Sequence, residues 1–440
     1  MTTIEDYIKL NASLYPKKMA IVCKGSQCTY AELWQQISQE AENLRHSLGG
    51  NRIVTIRSSQ SIEFLVMYFA LHMCGYVVAP LERDSPDELF GQISSWLGRC
   101  DAPDGTADIL YTTGTTGKPK GVMISHRTII ADAENLIDAQ GFSHNLAFVV
   151  NGPLNHIGSL SKVYPVMMLG ATLIIIEGMK DVNVFFEAMD LPYPKMATFL
   201  VPSSIRILLQ FSAEKLSSYR DKIDFIETGA AAITQSDMEA LCQMLPNTRL
   251  YNTYASTETG IISTYNFNDG KCMAGCLGRP MKHSRIIITE SGLIACQGDT
   301  LMTGYVGDAE QTNRVLRNGT IYTQDMGRID EEGMLHLTGR EDDVINVGGF
   351  KVAPTEVENV AMELPEIADC ICIATKHPVL GTALKLLVVL DNGCALDKKR
   401  IAQFIKSKIE SYKVPSAYEQ VEEVHRTYNG KIDRKFYRQK

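Results

Sequence analysis

The sequence predicts an α/β protein, with a large layered N-terminal body and a small α+β domain behind it. Three observations carry that prediction. Over the first 340 residues, short β-rich runs alternate with helical patterns. Two long apolar stretches each break at a glycine into a helix-like and a strand-like half. The last hundred residues then switch to a different grammar, after a charged pentapeptide.

Length and composition frame this reading. At 440 residues, 45% hydrophobic and 21% charged, the chain has material for a large packed body with a satellite rather than a disordered polymer. Its 43 Lys and Arg against 51 Asp and Glu give a net charge of −8, which argues against a general nucleic-acid binder. The 11 cysteines are scattered and odd in number, an intracellular pattern rather than a disulfide scaffold. Cys370 and Cys372 share one face of a β-like run, and zinc ligation is not expected there. The opening MTTIEDYIKL has acidic residues and no apolar core, so it is not read as a signal peptide.

The elements follow in order. Thr29 and Glu32 have capping-box spacing, and Leu33, Ile37, Ala41 and Leu44 recur at helical intervals up to Gly49. Arg52–Ile56 is β-like. Phe64–Leu81 has 18 residues without Asp, Glu, Lys or Arg, the lower limit for a membrane span. Gly75 divides it, however, into a helix-like half and the strand-like YVVAPL. Gly170 divides Tyr164–Ile176 in the same way. No membrane span is therefore expected, and the protein is placed in the cytoplasm. Further strands are expected at Ile109–Thr112, Ala147–Val150, Thr172–Ile176, Ala197–Val201 and Phe225–Thr228, in a mostly parallel body. Around GREDD (Gly339–Asp343), strand-like His336–Thr338, Val344–Val347, Cys370–Thr375 and Lys385–Leu390 mix with helical Thr355–Glu363 and Asp397–Ile409. A boundary at GREDD gives a body over residues 1–339, a link at 340–342 and a second domain over 343–440. Composition alone also admits one continuous domain.

The chemistry concentrates in Leu110–Val122, LYTTGTTGKPKGV. Glycines let backbone N–H groups approach an anion, hydroxyls donate, and lysines add positive charge. Two residues rather than four separate Gly114 from Gly117, so this is not a Walker A loop. On spacing alone, a phosphate-binding loop and an ordinary flexible turn both remain open.

The motif TTGTTGKPKG resembles the signature of the adenylate-forming superfamily of acyl-CoA synthetases, luciferases and peptide-synthetase adenylation domains. Further segments resemble that family's motifs, in order: Thr29–Leu33, Ala70–Leu81, PLNH (Pro153–His156), YNTYASTETG (Tyr251–Gly260), MTGY (Met302–Tyr305), YTQD (Tyr322–Asp325), Gly339–Glu358 and NGKIDRK (Asn429–Lys435). The resemblance implies ATP-dependent activation of a carboxylic acid to an acyl-adenylate with loss of pyrophosphate. Transfer to a thiol then follows, closest to the fatty- or aryl-acid CoA ligases. It implies ATP, Mg²⁺ and CoA. Loading of a carrier protein in trans and a non-catalytic nucleotide binder are the competing readings, and a homodimer stays open.

Residue by residue, the resemblance assigns Thr112, Thr113, Gly114, Thr115, Thr116, Gly117 and Lys120 to the β- and γ-phosphates, Thr257 to the α-phosphate and Glu258 to Mg²⁺. Tyr254 would stack on adenine, with a hydrogen bond from Asn252, and Gly229, Ala230 and Ala231 would form the opposite wall. Asp325 would grip the ribose hydroxyls, with Arg340 beside it. Lys431 would bridge the carboxylate and the α-phosphate, while His156 would lie by the acyl carbonyl. Asp342 falls at the hinge of a mobile C-terminal lid, whose Gly348, Gly349 and Lys351 face would serve the thiol step. Three departures stand out: Gln324 in place of the usual glycine before Asp325, about thirty residues between the second motif and the phosphate loop, and a short chain overall. LNHIGSL (Leu154–Leu160) holds no carboxylate, which favours an acid without an α-amine.

Overall fold

A computed structural model describes residues 1–47, 52–112, 119–378, 381–391, 393–426 and 432–438. The body is built on one large sheet and one five-stranded sheet. Half of the large sheet is parallel, with neighbours in the order Met19–Cys23, Thr172–Ile175, Ala147–Val150, Met196–Phe199, Ile223–Gly229 and Arg249–Ser256. Both of its faces are covered, as its continuous apolar strands require. Along Ala147–Val150, Phe148 and Val150 enter the cluster shared with the helices Ile62–Met73 and Ile157–Leu169. Ala147 and Val149 instead face the helices Val182–Asp190, Pro202–Phe211 and Gln235–Met244.

The other half corrects the expectation of a mostly parallel body. From Arg249–Ser256 the sheet continues antiparallel through Gly260–Asn266, Cys276–Pro280, Leu335–Arg340, Thr320–Ile329, Leu293–Gly298 and Ser284–Ile288. Tight turns force part of this, because strands joined by a few residues can only run back. Asn318 and Gly319, both left-handed at φ +52° and +69°, make one such turn.

Both glycine-divided stretches fold as helix, turn and strand. Gly75 and Gly170 have φ of +79° and +64°, a region closed to most side chains. No helix among the described residues is long and apolar enough to cross a membrane. The capping box forms too: Thr29 N–H donates to Glu32 Oε2 at 2.8 Å, and Glu32 N–H donates to Thr29 Oγ1 at 3.3 Å.

The five-stranded sheet pairs Ile53–Arg57, Val77–Leu81 and Thr106–Thr112 in parallel, then Lys120–Ser125 and Gly304–Tyr305 antiparallel. A buried polar knot locks it to the helices. His72 bridges Glu5 at 3.0 Å and Asp108 at 3.2 Å, and Tyr68 O–H donates to Asp108 at 2.8 Å.

After Arg340 comes a single 3₁₀ turn, Glu341–Asp343, and then a small α+β domain with its own apolar core. Its three-stranded sheet holds Ile367–His377, Gly381–Leu390 and Ala417–Gln420. Cys370 and Cys372 are buried on one face of the first of these strands, and burial pushes both thiols well above the ordinary range.

Candidate active site

The strand Arg249–Ser256 organises the nucleotide-side residues. Alternation puts Asn252 and Tyr254 on one face. Tyr254 is buried, and its O–H donates to Asp325 Oδ2 at 2.8 Å. Arg340 meets the other oxygen, Asp325 Oδ1, at 3.1 Å. Register explains the pairing, since Asp325 and Arg340 sit opposite each other on adjacent antiparallel strands. Both carboxylate oxygens are thus held in a fixed fork before any ligand arrives. Gln324, the residue that departs from the family pattern, accepts a hydrogen bond from Arg340 at 3.3 Å. It therefore supports the arginine.

Asn252 is anchored to the strand Cys276–Pro280. Its amide nitrogen donates to the Cys276 carbonyl at 3.0 Å. The side chain is thus oriented through one amide N–H, which leaves its second N–H and its oxygen for a ligand. Gly229 ends the neighbouring parallel strand opposite Thr253, and a Cβ there would come within 2.8 Å of the Thr253 carbonyl oxygen. Ala230 follows at φ +66°, a conformation costing an alanine about 1–2 kcal/mol. Such strain marks a backbone aimed for a purpose. Ala231 is half-buried beside it.

Thr257 and Glu258 lie in the turn between Arg249–Ser256 and Gly260–Asn266, so they form a β-hairpin tip and cap no helix. Ser256 Oγ and Thr259 Oγ1 brace the turn at 2.9 Å. Tyr305 O–H donates to Glu258 Oε1 at 2.9 Å, and Lys120 Nζ lies 5.4 Å from the centre of the Tyr305 ring. The five-stranded sheet sets this geometry, because Thr112 pairs with Lys120 and Val122 pairs with Tyr305. Thr112 Oγ1 is buried and has no hydrogen-bond partner among the described residues. An orphaned donor beside a lysine, with an oriented carboxylate across the strand, suits a phosphate accompanied by a hard cation. These residues therefore fit Mg²⁺ and a polyphosphate. Tyr305 escaped assignment at the sequence level, although its motif MTGY was the available signal.

Other expected residues lie apart. His156 precedes the helix Ile157–Leu169 and is half-exposed, with Nε2 2.9 Å from Glu82 Oε1, so it is not a core histidine. Gly348, Gly349 and Lys351 occupy an exposed hairpin of the C-terminal domain, where Gly349 N–H donates to Asn346 Oδ1 at 2.9 Å. Asp342 is the middle residue of the 3₁₀ turn. Thr113, Gly114, Thr115, Thr116, Gly117 and Lys431 lie outside the described residues. Just beyond Lys431, Arg434 pairs with Asp343 at 3.1 Å and Glu358 at 2.6 Å. It ties the helix Arg434–Arg438 to the start of the small domain, a role the motif NGKIDRK did not disclose.

The AMP-binding enzyme family matches the chain over residues 8–98 and 95–306, and the AMP-binding enzyme C-terminal domain matches residues 356–431. The chain belongs to the AMP-binding enzyme family. An indoleacetate–CoA ligase of Aromatoleum aromaticum is 30% identical over 346 residues, covering 75% of this chain and 66% of that protein. A long-chain-fatty-acid–CoA ligase of Bacillus subtilis is 29% identical over 355 residues, covering 77% and 62%. The chain thus spans just under two thirds of these curated relatives. In fold, ATP-bound MatB from Rhodopseudomonas palustris superposes with a TM-score of 0.85 at 22% identity, over 98% of each chain.

Proposed function

We propose that this AMP-binding enzyme activates a carboxylic acid with ATP and passes the acyl group to the thiol of CoA. The observation that carries this reading is Asp325, fixed by Tyr254 and Arg340. A carboxylate with both oxygens presented in a fork suits the two vicinal hydroxyls of a ribose. The Asn252 oxygen would accept from an adenine amine, with Tyr254 and the strained Gly229–Ala231 segment as walls. Thr112 and Lys120, with Thr113–Gly117, would hold the outer phosphates, and Thr257 the α-phosphate. Glu258, oriented by Tyr305, would ligate Mg²⁺, which neutralises phosphate charge when bound.

In the first step a carboxylate oxygen attacks the α-phosphorus and the bond to the β-phosphate breaks, releasing pyrophosphate. Two anions must approach each other, so concentrated positive charge is the main requirement. Lys431 would supply it between them, and His156 would stand by the acyl carbonyl. In the second step the CoA thiolate attacks that carbonyl carbon and AMP leaves. The small domain would turn about Asp342 between the steps, exchanging Lys431 for the Gly348–Lys351 face. The curated relatives, named as CoA ligases, support CoA as acceptor.

The test is a panel of fatty and aryl acids with ATP and Mg²⁺, followed by pyrophosphate release and then by thioester formation with CoA or a holo-carrier. Acid-dependent pyrophosphate and stoichiometric acyl-CoA are expected. No release with any acid would overturn the enzymatic reading, and transfer to a carrier alone would change the acceptor.

A further inference from the structure

The hairpin that carries Thr257 and Glu258 is held by side chains outside the site. On its outer edge, Gly260–Asn266 pairs with Cys276–Pro280 only at Ser263 and Thr264 among the described residues. Toward the tip that support ends, and a two-stranded ribbon alone is only marginally stable. The pairing also slips there. Ile262 is an extra residue between the pairs Tyr254–Ser263 and Ala255–Ile261, a bulge that re-aims the residues beyond it.

The helix His126–Gln140 supplies the missing support. Asp132 Oδ1 accepts Ile261 N–H at 2.8 Å, and Asn135 Nδ2 donates to the Ile261 carbonyl at 2.9 Å. Both backbone groups beside the bulge are thus taken by side chains three positions apart on one helix face. Asn135 is itself fixed: its oxygen accepts His283 N–H at 2.7 Å, and its nitrogen also donates to Ser284 Oγ at 3.0 Å. One turn before Asp132, Thr128 Oγ1 donates to the Leu301 carbonyl at 3.1 Å. The segment it holds grips the tip in turn, with Thr300 Oγ1 on the Thr259 carbonyl and Met302 N–H on the Glu258 carbonyl, both at 2.8 Å. Thr128, Asp132 and Asn135 are all buried, so a polar stripe runs along a helix face that would ordinarily be apolar. The fit is close. A Cβ on Gly260, left-handed at φ +69°, would come within 2.6 Å of Asp132 Oδ1 and of the Thr300 carbonyl oxygen.

Burial pushes the Asp132 carboxyl up to about 8, so near pH 7 it is uncharged and serves as a hydrogen-bonding group. Burying such groups costs free energy that an apolar side chain would not; what they add is a fixed position for the strand. We propose that Asp132 and Asn135 are positioning residues for acyl-adenylate formation, holding the bulge at Ile261 and Ile262 so that Thr257 and Glu258 meet the α-phosphate and Mg²⁺. This rests on the ligase reading above. Both act through the hairpin backbone and not by contact with the reacting atoms.

The test measures pyrophosphate release, with an acid the parent activates, for Asp132→Leu, Asn135→Ala and Asp132→Asn. Leucine fills the space without an acceptor, whereas asparagine keeps one for Ile261 N–H. Asp132→Leu and Asn135→Ala should each lower kcat about 10- to 100-fold, the range for groups that orient a metal ligand or a reacting pair. Each should also raise the apparent Mg²⁺ requirement about tenfold. The KM for ATP should stay within about threefold, because the Asp325 fork is untouched. Asp132→Asn should bring kcat and the Mg²⁺ dependence back to within about threefold of the parent. A purely structural brace would lower the unfolding midpoint and leave kcat per folded molecule and the Mg²⁺ dependence unchanged, and that result overturns the proposal. So does an Asp132→Asn variant as impaired as Asp132→Leu, or failure of both Asp132→Leu and Asn135→Ala to fold. These outcomes leave the ligase reading intact. No release by the parent with any acid overturns both.

Discussion

Tyr305→Phe removes one oxygen from the site and leaves the ring in place. Tyr305 is buried, with its O–H on Glu258 Oε1 at 2.9 Å and its ring beneath Lys120. A hydrogen bond to an ionised group contributes about 1.5–3 kcal/mol, or roughly 10- to 100-fold. Glu258 is partly exposed, so water recovers some of that interaction and the lower end applies. The apparent Mg²⁺ requirement for pyrophosphate release should therefore rise about tenfold, in line with the loss of a group that orients a metal ligand. The assay is initial rate against Mg²⁺ at saturating ATP and acid, with the unfolding midpoint as a control. Packing is kept, so that midpoint should move by no more than about 3 °C. An unchanged Mg²⁺ dependence, or a lost rate that added Mg²⁺ cannot restore, would refute the assignment of Glu258.

Three further outcomes follow from the same geometry. Arg340→Ala releases Asp325 Oδ1 and Gln324, and should raise the KM for ATP about tenfold with little change in folding, because Arg340 is 40% exposed; a KM within twofold of the parent would count against the ribose fork. Arg434→Met leaves Glu358, which also accepts Cys372 N–H at 2.7 Å, buried without its cation. That should cost the small domain about 3–5 kcal/mol, read as lost hydrogen-exchange protection in Ile367–His377. The third concerns His72. Burial alone would lower its pKa, but hydrogen bonds to Asp108 and Glu5 outweigh this and raise it to about 10. A raised folded-state pKa stabilises fully below the unfolded value near 6.5, and that stabilisation is lost as pH climbs toward 10. Urea unfolding should therefore show a decline between pH 7 and 10 that His72→Gln flattens; parallel declines in both proteins would refute it.

Much of the body was legible in the chain because its signals are local. The strand Ala147–Val150 appears at the expected residues, and the glycine breaks at 75 and 170 became turns. Of the antiparallel half only His336–Thr338, within Leu335–Arg340, was expected as a strand, although Asn318–Gly319 is a strong hairpin signal. Its strands are half-polar, with little periodicity to separate them from loops. Site residues were reachable through motifs, whereas their partners were not. Nothing near Asp325 in sequence points to Tyr254, 71 positions away.

The chain by itself determined the parallel half's elements, the two-part organisation and the family, because periodicity, caps, turns and motifs act over a few residues. Only the tertiary structure decided which groups meet. It turned Gln324 from a departure into a support for Arg340, gave Glu258 its tyrosine, and showed Asn252 held by its donor end. It also placed Lys162 against Glu227, 65 residues apart, inside a protein interior. Pairings across sheets depend on register and on the packing of distant strands, and burial then makes an unsatisfied charge costly enough to mean something.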